Sequence, residues 1–230
     1  DEMCERLVRA RLGSAFPDHG VVGEEGEAER QDRDLVWHVD PIDGTTNFAH
    51  GHPFFCLAMG LAHRTESGER PIAGVVLAPA MGVEWSGGRG LGVRRSTGEG
   101  DTAESVRVSA TAHLRDALCA TGFPASRASS PDNNYPAFLA MDAASHGVRR
   151  CGAAAMELCM VADGAYDAFW DLGLKSWDVC AGTALVEEAG GRVTDFGGGP
   201  STLTGGRVVA SNGHLHAEIV SGLASRLPLP

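Results

Sequence analysis

An apolar strand that runs directly into two carboxylates is the feature of this sequence that most restricts its fold. Residues 35–39 have the pattern of a buried strand, and the segment DPIDGTTNF, residues 40–48, follows without a break. Pro41 lacks an N–H donor and biases Asp40 towards extended backbone, so the strand is predicted to end at Asp40. The pattern therefore places Asp40 and Asp43 at the carboxyl end of a strand, just before a tight turn.

The oxygen atoms at this strand end are suited to a divalent cation. Asp40, the Ile42 carbonyl and Asp43 can turn towards one point and offer the hard ligands that Mg²⁺ prefers. The backbone N–H groups of Gly44 and Thr45 come next, at a predicted helix start where an anion is favoured. A cation site next to an anion site is the arrangement expected for binding a phosphate ester through a metal ion. Taken alone, the two aspartates also fit the ordinary capping of a turn.

Two further acidic positions extend the pattern. Glu24 and Glu25 follow a short apolar strand, and a cation would relieve the repulsion between their carboxylates. Asp178 stands at the start of an apolar helix predicted over residues 179–189. Taken singly, the glutamates fit a solvated acidic loop and the aspartate fits a helix N-cap.

Together, the segments GEE, DPIDGTTNF and WDVCAG, in that order, resemble the inositol monophosphatase family of Mg²⁺-dependent sugar phosphatases. The resemblance covers essentially the whole chain and includes residues 152–154, Asp171 and the helix end at 188–191. It implies a phosphomonoesterase in which a water molecule attacks phosphorus with the help of two to three Mg²⁺ ions. The implied substrate is a small-molecule phosphate ester, either inositol monophosphate or a related sugar phosphate.

Two alternatives stay open at this point. The first keeps the chemistry and changes the substrate to histidinol phosphate or fructose 1,6-bisphosphate, which belong to the same superfamily. The second is a regulatory or interaction protein that uses the fold as a scaffold, although all of the implied metal ligands are present in this chain.

The resemblance also assigns metal ligands residue by residue. For the metals nearest the strand end, the implied ligands are Glu24, Asp40, the Ile42 carbonyl and Asp43. For the second ion they are Asp40, Asp43 and Asp178, and Glu24 is also implied to reach a third, loosely bound ion. Lithium inhibition at the second position is expected as a family property.

The implied catalytic residues are Glu24, Thr45 and Asp1. Asp1 stands where the family has an aspartate that pairs with the Thr45 hydroxyl and orients the attacking water. The match begins at this residue, whereas family members have more chain before it, so the sequence is expected to be a fragment of a longer chain. A homodimer is also implied.

The implied substrate contacts come from both halves of the chain. The amides of Gly44 and Thr45 are expected to bind the phosphate. Ala153 and Ala154 are expected near the hydroxyl groups of the leaving group. Asp171 occupies a position where inositol phosphatases commonly carry Glu, and its shorter side chain leaves room for another polyol or a bridging water.

The order of strands and helices differs between the two halves. The first is predicted to be an α+β lobe over residues 1–109 and the second, with its strand–helix alternation, an α/β lobe over residues 110–230, with a seam near 109–113. With the resemblance, this predicts an α+β protein with the layered α-β-α-β-α sugar-phosphatase fold. The polar, glycine-rich stretch 96–104 is predicted to be a mobile loop.

Composition restricts the partners and the compartment. The 19 Lys and Arg against 30 Asp and Glu give a net charge of −11, which disfavours binding to nucleic acid or an anionic membrane. No apolar run reaches about 18 residues and the acidic N-terminus lacks a signal segment, so no membrane span or secretion is predicted. Six cysteines without a CxxC pair indicate free thiols and hence a cytoplasmic protein.

Overall fold

Seven strands form the first of two β-sheets, and they follow one another across it in chain order. The computed structural model describes residues 1–98, 103–201 and 203–224. The strands of the first sheet are β1 (Gly20–Gly23), β2 (Leu35–Asp43), β3 (Cys56–Thr65), β4 (Gly68–Ala78), β5 (Val83–Gly88), β6 (Gly92–Thr97) and β7 (Glu104–Val106). All neighbours are antiparallel except β1 and β2, which run parallel.

The second sheet is mixed. Its strands are β8 (Leu118–Thr121), β9 (Gly147–Arg149), β10 (Ala168–Leu172), β11 (Arg192–Thr194) and β12 (Arg207–Ser211). They lie in the order β11, β12, β10, β8, β9. Strand β8 is parallel to both of its neighbours, whereas β12 is antiparallel to both of its own.

Helices lie between the sheets and on both outer faces. They are α1 (Glu2–Ala15), α2 (Thr45–Ala49), α3 (Tyr135–Ala144), α4 (Ala154–Ala162), α5 (Ser176–Glu188) and α6 (His216–Ala224). Helices α4 and α5 pack between the sheets, α1 packs on the far side of the first sheet, and α3 and α6 pack on the far side of the second. The predicted α+β fold and its α-β-α-β-α layers are confirmed.

The layers follow from the two-residue period of the strands. On β2, Val36 is fully buried in the first sheet, while Val39 packs with α1 on that sheet's other face. On β10, Phe169 joins the apolar cluster around α4 and α5, while Trp170 joins the cluster beneath α3 and α6. Within the described residues, no helix is long and apolar enough to cross a bilayer.

Two glycines set the distance between α5 and the first sheet. A Cβ atom on Gly60 would lie 2.5 Å from the backbone nitrogen of Ala181, and one on Gly74 would lie 2.5 Å from its carbonyl oxygen. Side chains at these positions of β3 and β4 would push the helix away. Helix α5 therefore lies directly on the backbone of the sheet.

Three sequence predictions about the elements need correction or comment. Strand β2 does not end at Asp40 but continues to Asp43, because a register shift against β3 accommodates Pro41. Helix α5 begins at Ser176 rather than at residue 179, so Asp178 is its third residue. In the predicted loop 96–104, residues 99–102 lie outside the described part, and β6 and β7 extend into its two ends.

The division into two lobes stays a prediction. One apolar cluster contains side chains from both sequence halves, among them Trp85 of β5 and Phe169 of β10.

Candidate active site

The two aspartates of β2 are buried where the first sheet meets α4. Asp40 is 2% exposed, and its carboxylate accepts a hydrogen bond from the Ile42 N–H at 3.0 Å. Asp43 accepts hydrogen bonds from the N–H groups of Ala154 at 3.2 Å and Ala155 at 2.7 Å. These two amides open α4, so the helix N-terminus stabilises the charge of Asp43.

Burial raises the pKa of both aspartates, and the charges around them raise it further. For Asp40 the added repulsion comes from Asp43, Glu24 and Asp178. For Asp43 it comes from Asp178, while the amides of α4 act in the opposite direction. In the described part of the chain, neither aspartate forms an ion pair with Lys, Arg or His. The protein thus gathers negative charge that it does not itself neutralise.

Asp178 brings a third, partly buried carboxylate from α5. It accepts a hydrogen bond from the backbone N–H of Lys175, the N-cap residue, at 2.6 Å. Burial raises the pKa of Asp178, while the Lys175 amide, the Asp40 carboxyl and the Lys175 charge lower it. Asp178 and Asp40, which are far apart in the sequence, therefore lie side by side.

Glu24 completes the group from the loop after β1. Burial raises its pKa first, the charges of Asp178 and Glu25 add to this, and an interaction with the Asp40 carboxyl lowers it. The structure thus brings together the four acids that the sequence analysis named. Their effects on one another's pKa values show that they form one electrostatic unit.

Glu5 holds the loop that carries Glu24, and the sequence analysis missed it. Its carboxylate accepts hydrogen bonds from the N–H groups of Glu25 at 2.8 Å and Gly26 at 2.9 Å. Arg9 donates to it at 2.7 Å. Glu5 is 2% exposed, although it is an acid on a surface helix. An acidic residue on the buried side of α1 was the only signal in the sequence.

The turn after β2 requires a glycine. Gly44 has a φ of 90°, and a Cβ atom there would lie 3.0 Å from the Phe54 carbonyl oxygen. The next residue, Thr45, opens α2, and its hydroxyl donates to the Ile42 carbonyl oxygen at 3.1 Å. That carbonyl is one of the implied metal ligands.

Asp1 lies at the N-cap of α1, where its carbonyl oxygen accepts the Glu5 N–H at 3.0 Å. Within the described residues, no hydrogen bond joins the Asp1 side chain to the Thr45 hydroxyl. The start of α1 nevertheless lies close to the strand end, since the Cys4 thiol is 3.6 Å from the Pro41 carbonyl oxygen. The pairing of Asp1 with Thr45 stays a prediction.

The implied substrate contacts of the second half lie around the start of α4. Ala153 is close to the Gly44 turn, since a Cβ atom on Gly44 would be 3.2 Å from the Ala153 Cβ. The Ala154 N–H is already bound to Asp43. The Asn47 side chain joins the two segments, because it donates to the Phe54 carbonyl at 2.7 Å and the Cys151 carbonyl at 2.8 Å.

Asp171 lies at the end of β10 and faces the same charges. It is buried and accepts the Leu172 N–H at 2.6 Å. Burial raises the pKa of Asp171 to about 8; the Leu172 amide opposes this, and Asp178 and Asp43 add repulsion. Without metal, its carboxyl group is therefore protonated more readily than an exposed one, and a protonated carboxyl can donate a hydrogen bond.

These acids do not form a closed coordination sphere. In residues 1–98, 103–201 and 203–224, no three His, Cys, Asp or Glu side chains are arranged closely enough to hold a metal ion. The donor set still fits a hard cation, because its members are carboxylates and a carbonyl, and because the buried pair Asp40 and Asp43 has no ion-pair partner among the described residues.

Comparison with known proteins identifies close relatives. A sequence model of the inositol monophosphatase family matches residues 1–227. An inositol-1-monophosphatase from Synechocystis is 36% identical over 226 residues, which cover 98% of this chain and 75% of the relative. The Nus factor SuhB of Pseudomonas aeruginosa is 37% identical over 233 residues, with coverages of 99% and 82%.

A solved structure agrees with these matches. The inositol monophosphatase of Anabaena superposes with a TM-score of 0.91 at 38% sequence identity. The superposition covers 100% of this chain and 87% of that one. The likeness thus includes the fold as well as the motifs.

Proposed function

This chain belongs to the inositol monophosphatase family and is a phosphatase, and we propose that it hydrolyses inositol monophosphate or a related sugar phosphate with the help of Mg²⁺. The observation that carries the proposal is a group of clustered acids, of which Asp40 and Asp43 are buried and have no ion-pair partner among the described residues. The repulsion among Asp40, Asp43 and Asp178 is offset only in part by backbone amides and by the Lys175 charge, and a divalent cation would offset the rest. The family is generally metal-dependent, which agrees with this chemistry.

The residues that would hold two to three Mg²⁺ ions are Glu24, Asp40, the Ile42 carbonyl, Asp43 and Asp178. When bound, such ions lower the pKa of a water molecule and neutralise charge that develops on a phosphoryl group. The protein contributes the fixed directions of these oxygens, since α4 holds Asp43 and the Lys175 amide holds Asp178.

We infer separate tasks for the other residues of the site. The N–H groups of Gly44 and Thr45 lie at the start of α2, where helix geometry leaves amides free to bind phosphate. Glu24 and the Thr45 hydroxyl orient the attacking water, and Asp1 supports Thr45 as the resemblance implies. None of these tasks requires a covalent phosphoenzyme.

Substrate choice is assigned to the region between α4 and β10. Asp171, with its raised pKa, can donate a hydrogen bond to a sugar oxygen as well as accept one from a hydroxyl. Ala153 and Ala154 present small side chains to the leaving group. This arrangement favours a polyol without an added charge, which supports inositol monophosphate over fructose 1,6-bisphosphate or histidinol phosphate.

A second candidate function is an interaction role, because the Pseudomonas relative is named a Nus factor. The retained acids and the net charge of −11 favour the phosphatase over a nucleic-acid-binding protein. The two functions are separable, since the Asp43→Asn variant should lose only the catalytic one.

The proposal also includes the cellular compartment, the oligomeric state and inhibition by lithium. A reducing compartment, the cytoplasm, is supported by six free cysteines, all of them in described residues. A homodimer is supported by the resemblance and by exposed apolar side chains such as Leu139. Inhibition by millimolar lithium is part of the proposal and can be measured in the assay below.

The test is phosphate release from inositol 1-phosphate, fructose 1,6-bisphosphate and histidinol phosphate, with and without Mg²⁺. We expect Mg²⁺-dependent turnover, with inositol 1-phosphate as the preferred substrate and with the Asp43→Asn variant inactive. Preference for histidinol phosphate would move the protein to another branch of the superfamily. Equal activity of Asp43→Asn would refute the site.

A further inference from the structure

A hydrogen bond joins the strand and the helix that deliver two of the proposed metal ligands. The Nδ1 atom of His38 lies 2.9 Å from the Ser176 hydroxyl oxygen. His38 precedes Asp40 by two residues on β2, and Ser176 opens α5 two residues before Asp178. The bond therefore lies immediately beside both acids, although its two residues are 138 positions apart in the sequence.

The His38 ring is itself held firmly. Its Nε2 atom lies 2.9 Å from a carboxylate oxygen of Glu69 on β4, whose other oxygen accepts a hydrogen bond from Arg64 at 2.7 Å. The carboxylate keeps the proton on Nε2, which leaves Nδ1 to accept the Ser176 hydroxyl proton. His38 is 2% exposed, so its ring is held in a fixed orientation and Nδ1 stays directed at the Ser176 hydroxyl.

Apolar packing sets the distance of α5 from the first sheet, but few polar contacts fix the direction of its first turn. At Gly60 and Gly74 the sheet approaches backbone atoms of Ala181, and at Gly60 the Cys180 Sγ atom packs there as well. Besides the interaction between the Asp178 and Asp40 carboxyl groups, the bond to His38 joins the first turn of α5 to the first sheet through side chains. At the other end, Glu188 accepts N–H groups of Gly90 and Gly92.

Small rotations matter for a metal ligand. A carboxylate near the outer radius of a helix moves by about 1 Å when the helix turns by about 10°. Mg²⁺ requires nearly ideal octahedral geometry, and a site of this kind tolerates displacements of only about 0.5 Å. The orientation of α5 therefore decides whether Asp178 can share an ion with Asp40.

We propose that His38 and Ser176 are positioning residues that hold Asp178 against Asp40 and so set the affinity of the site for Mg²⁺. This inference rests on the proposed function, because it takes both aspartates as metal ligands. It assigns no contact with substrate to either residue.

The test compares Mg²⁺ binding to the whole chain, measured by calorimetry without substrate, in matched variants. Ser176→Ala removes the hydroxyl, and Ser176→Thr keeps it. The control is Thr183→Val, because Thr183 lies in the same helix and its buried hydroxyl has no hydrogen-bond partner among the described residues. Asp178→Asn removes the ligand itself.

We expect Ser176→Ala to raise the Kd for Mg²⁺ about 10-fold, as is typical for groups that orient a metal ligand. The Kd for Mg²⁺ of Ser176→Thr and of Thr183→Val should stay within about twofold of that of the natural protein. The Tm of all three variants, measured without Mg²⁺, should hardly differ from that of the natural protein. In a His38→Leu background, Ser176→Ala should have no further effect, because the acceptor is already gone.

The outcomes separate the inference from the function it rests on. If Asp178→Asn weakens Mg²⁺ binding and Ser176→Ala does not, the positioning role is refuted and the site stands. A Ser176→Ala effect that persists in the His38→Leu background also refutes it. If Asp178→Asn binds Mg²⁺ normally, the proposed metal site itself is wrong.

Discussion

Asp40 has few partners for a buried acid. Within the described part of the chain, the Ile42 N–H is the one backbone donor to Asp40, and three other acids raise its pKa beyond the effect of burial. In the absence of metal, such a residue opposes folding. The position is therefore explained by function rather than by stability.

The first prediction is that Asp40→Asn makes the metal-free protein more stable and the enzyme inactive. An amide oxygen can still accept the Ile42 N–H, while the repulsion with Asp43, Glu24 and Asp178 is removed. We expect a higher Tm in EDTA and a loss of phosphate release of at least about 100-fold, more than is typical for a residue that only orients a ligand. A lower Tm, or retained activity, would contradict the assignment.

Glu5 shows the opposite case, in which a buried acid is fully satisfied. We predict that Glu5→Gln lowers the free energy of unfolding by about 1–3 kcal/mol, because one oxygen cannot replace two that accept two amides and Arg9. The metal affinity should fall as well, since the loop carries Glu24.

The matched control for this variant is Glu29→Gln. Glu29 is the other partner of Arg9, but its side chain is 55% exposed, so its loss should cost no more than about 0.5 kcal/mol in urea unfolding. Equal effects of the two variants would show that Glu5 does not organise the loop.

At the scale of elements, the packing of α5 on the first sheet depends on glycines, which have no side chain to separate the two. We predict that Gly60→Ala destabilises the protein by about 1–3 kcal/mol or more, because its Cβ would meet backbone atoms of Ala181 that cannot move aside. Gly13→Ala, in α1, should be neutral or stabilising by up to about 1 kcal/mol, since only Arg30 comes within 4.0 Å. Thermal unfolding of both variants measures this difference in stability. An unchanged Tm for Gly60→Ala would contradict the close contact between α5 and the first sheet.

The start of α6 contains a buried histidine that should respond to pH. His216 is 1% exposed, with Nε2 at 2.8 Å from the Thr194 hydroxyl and Nδ1 at 2.9 Å from the Ser211 hydroxyl. Burial lowers the pKa of His216 to about 4. The unfolded chain therefore takes up a proton near pH 6.5, while the folded protein does so only near pH 4.

It follows that stability due to His216 is fully present above about pH 6.5 and is lost as the pH falls towards 4. The loss should reach about 3 kcal/mol, and His216→Gln should remove this part of the slope. Urea unfolding of both proteins between pH 4 and 8 measures it. Identical slopes would show that His216 is not the group responsible.

The elements around the site could be predicted because their patterns are local. Periods of two and of 3.6 residues identified β2 and α5, and the resemblance identified their acids. The predicted start of α5 at residue 179 is three residues too late, because the apolar pattern begins at Val179, whereas Asp178 binds the Lys175 amide from inside the helix. Strand β2 was ended too early because a register shift at Pro41 depends on the partner strand.

The supporting residues could not be predicted for a different reason. Glu5 binds a loop 20 residues away, and His38 binds Ser176 at 138 residues. A hydrophobic period or a motif within one element does not indicate which distant loop or helix that element contacts. These contacts belong to the tertiary structure, and only the structure shows them.

At the scale of the whole molecule, the acids converge where the first sheet meets the middle helical layer. Glu24, Asp40 and Asp43 come from the first half of the chain, and Asp178 comes from the second. A single apolar cluster that contains Trp85 and Phe169 holds these parts together. The site is therefore a product of the complete layered fold rather than of one motif.

The most direct test of the central claim, that these acids bind the Mg²⁺ that drives the reaction, is a Mg²⁺ titration of phosphate release from inositol 1-phosphate. It compares the natural protein with Asp178→Asn. We predict no release without Mg²⁺, saturable activation in the natural protein, and in the variant both a higher Mg²⁺ midpoint and a lower kcat. Release that is independent of Mg²⁺, or identical curves for the two proteins, would contradict the account.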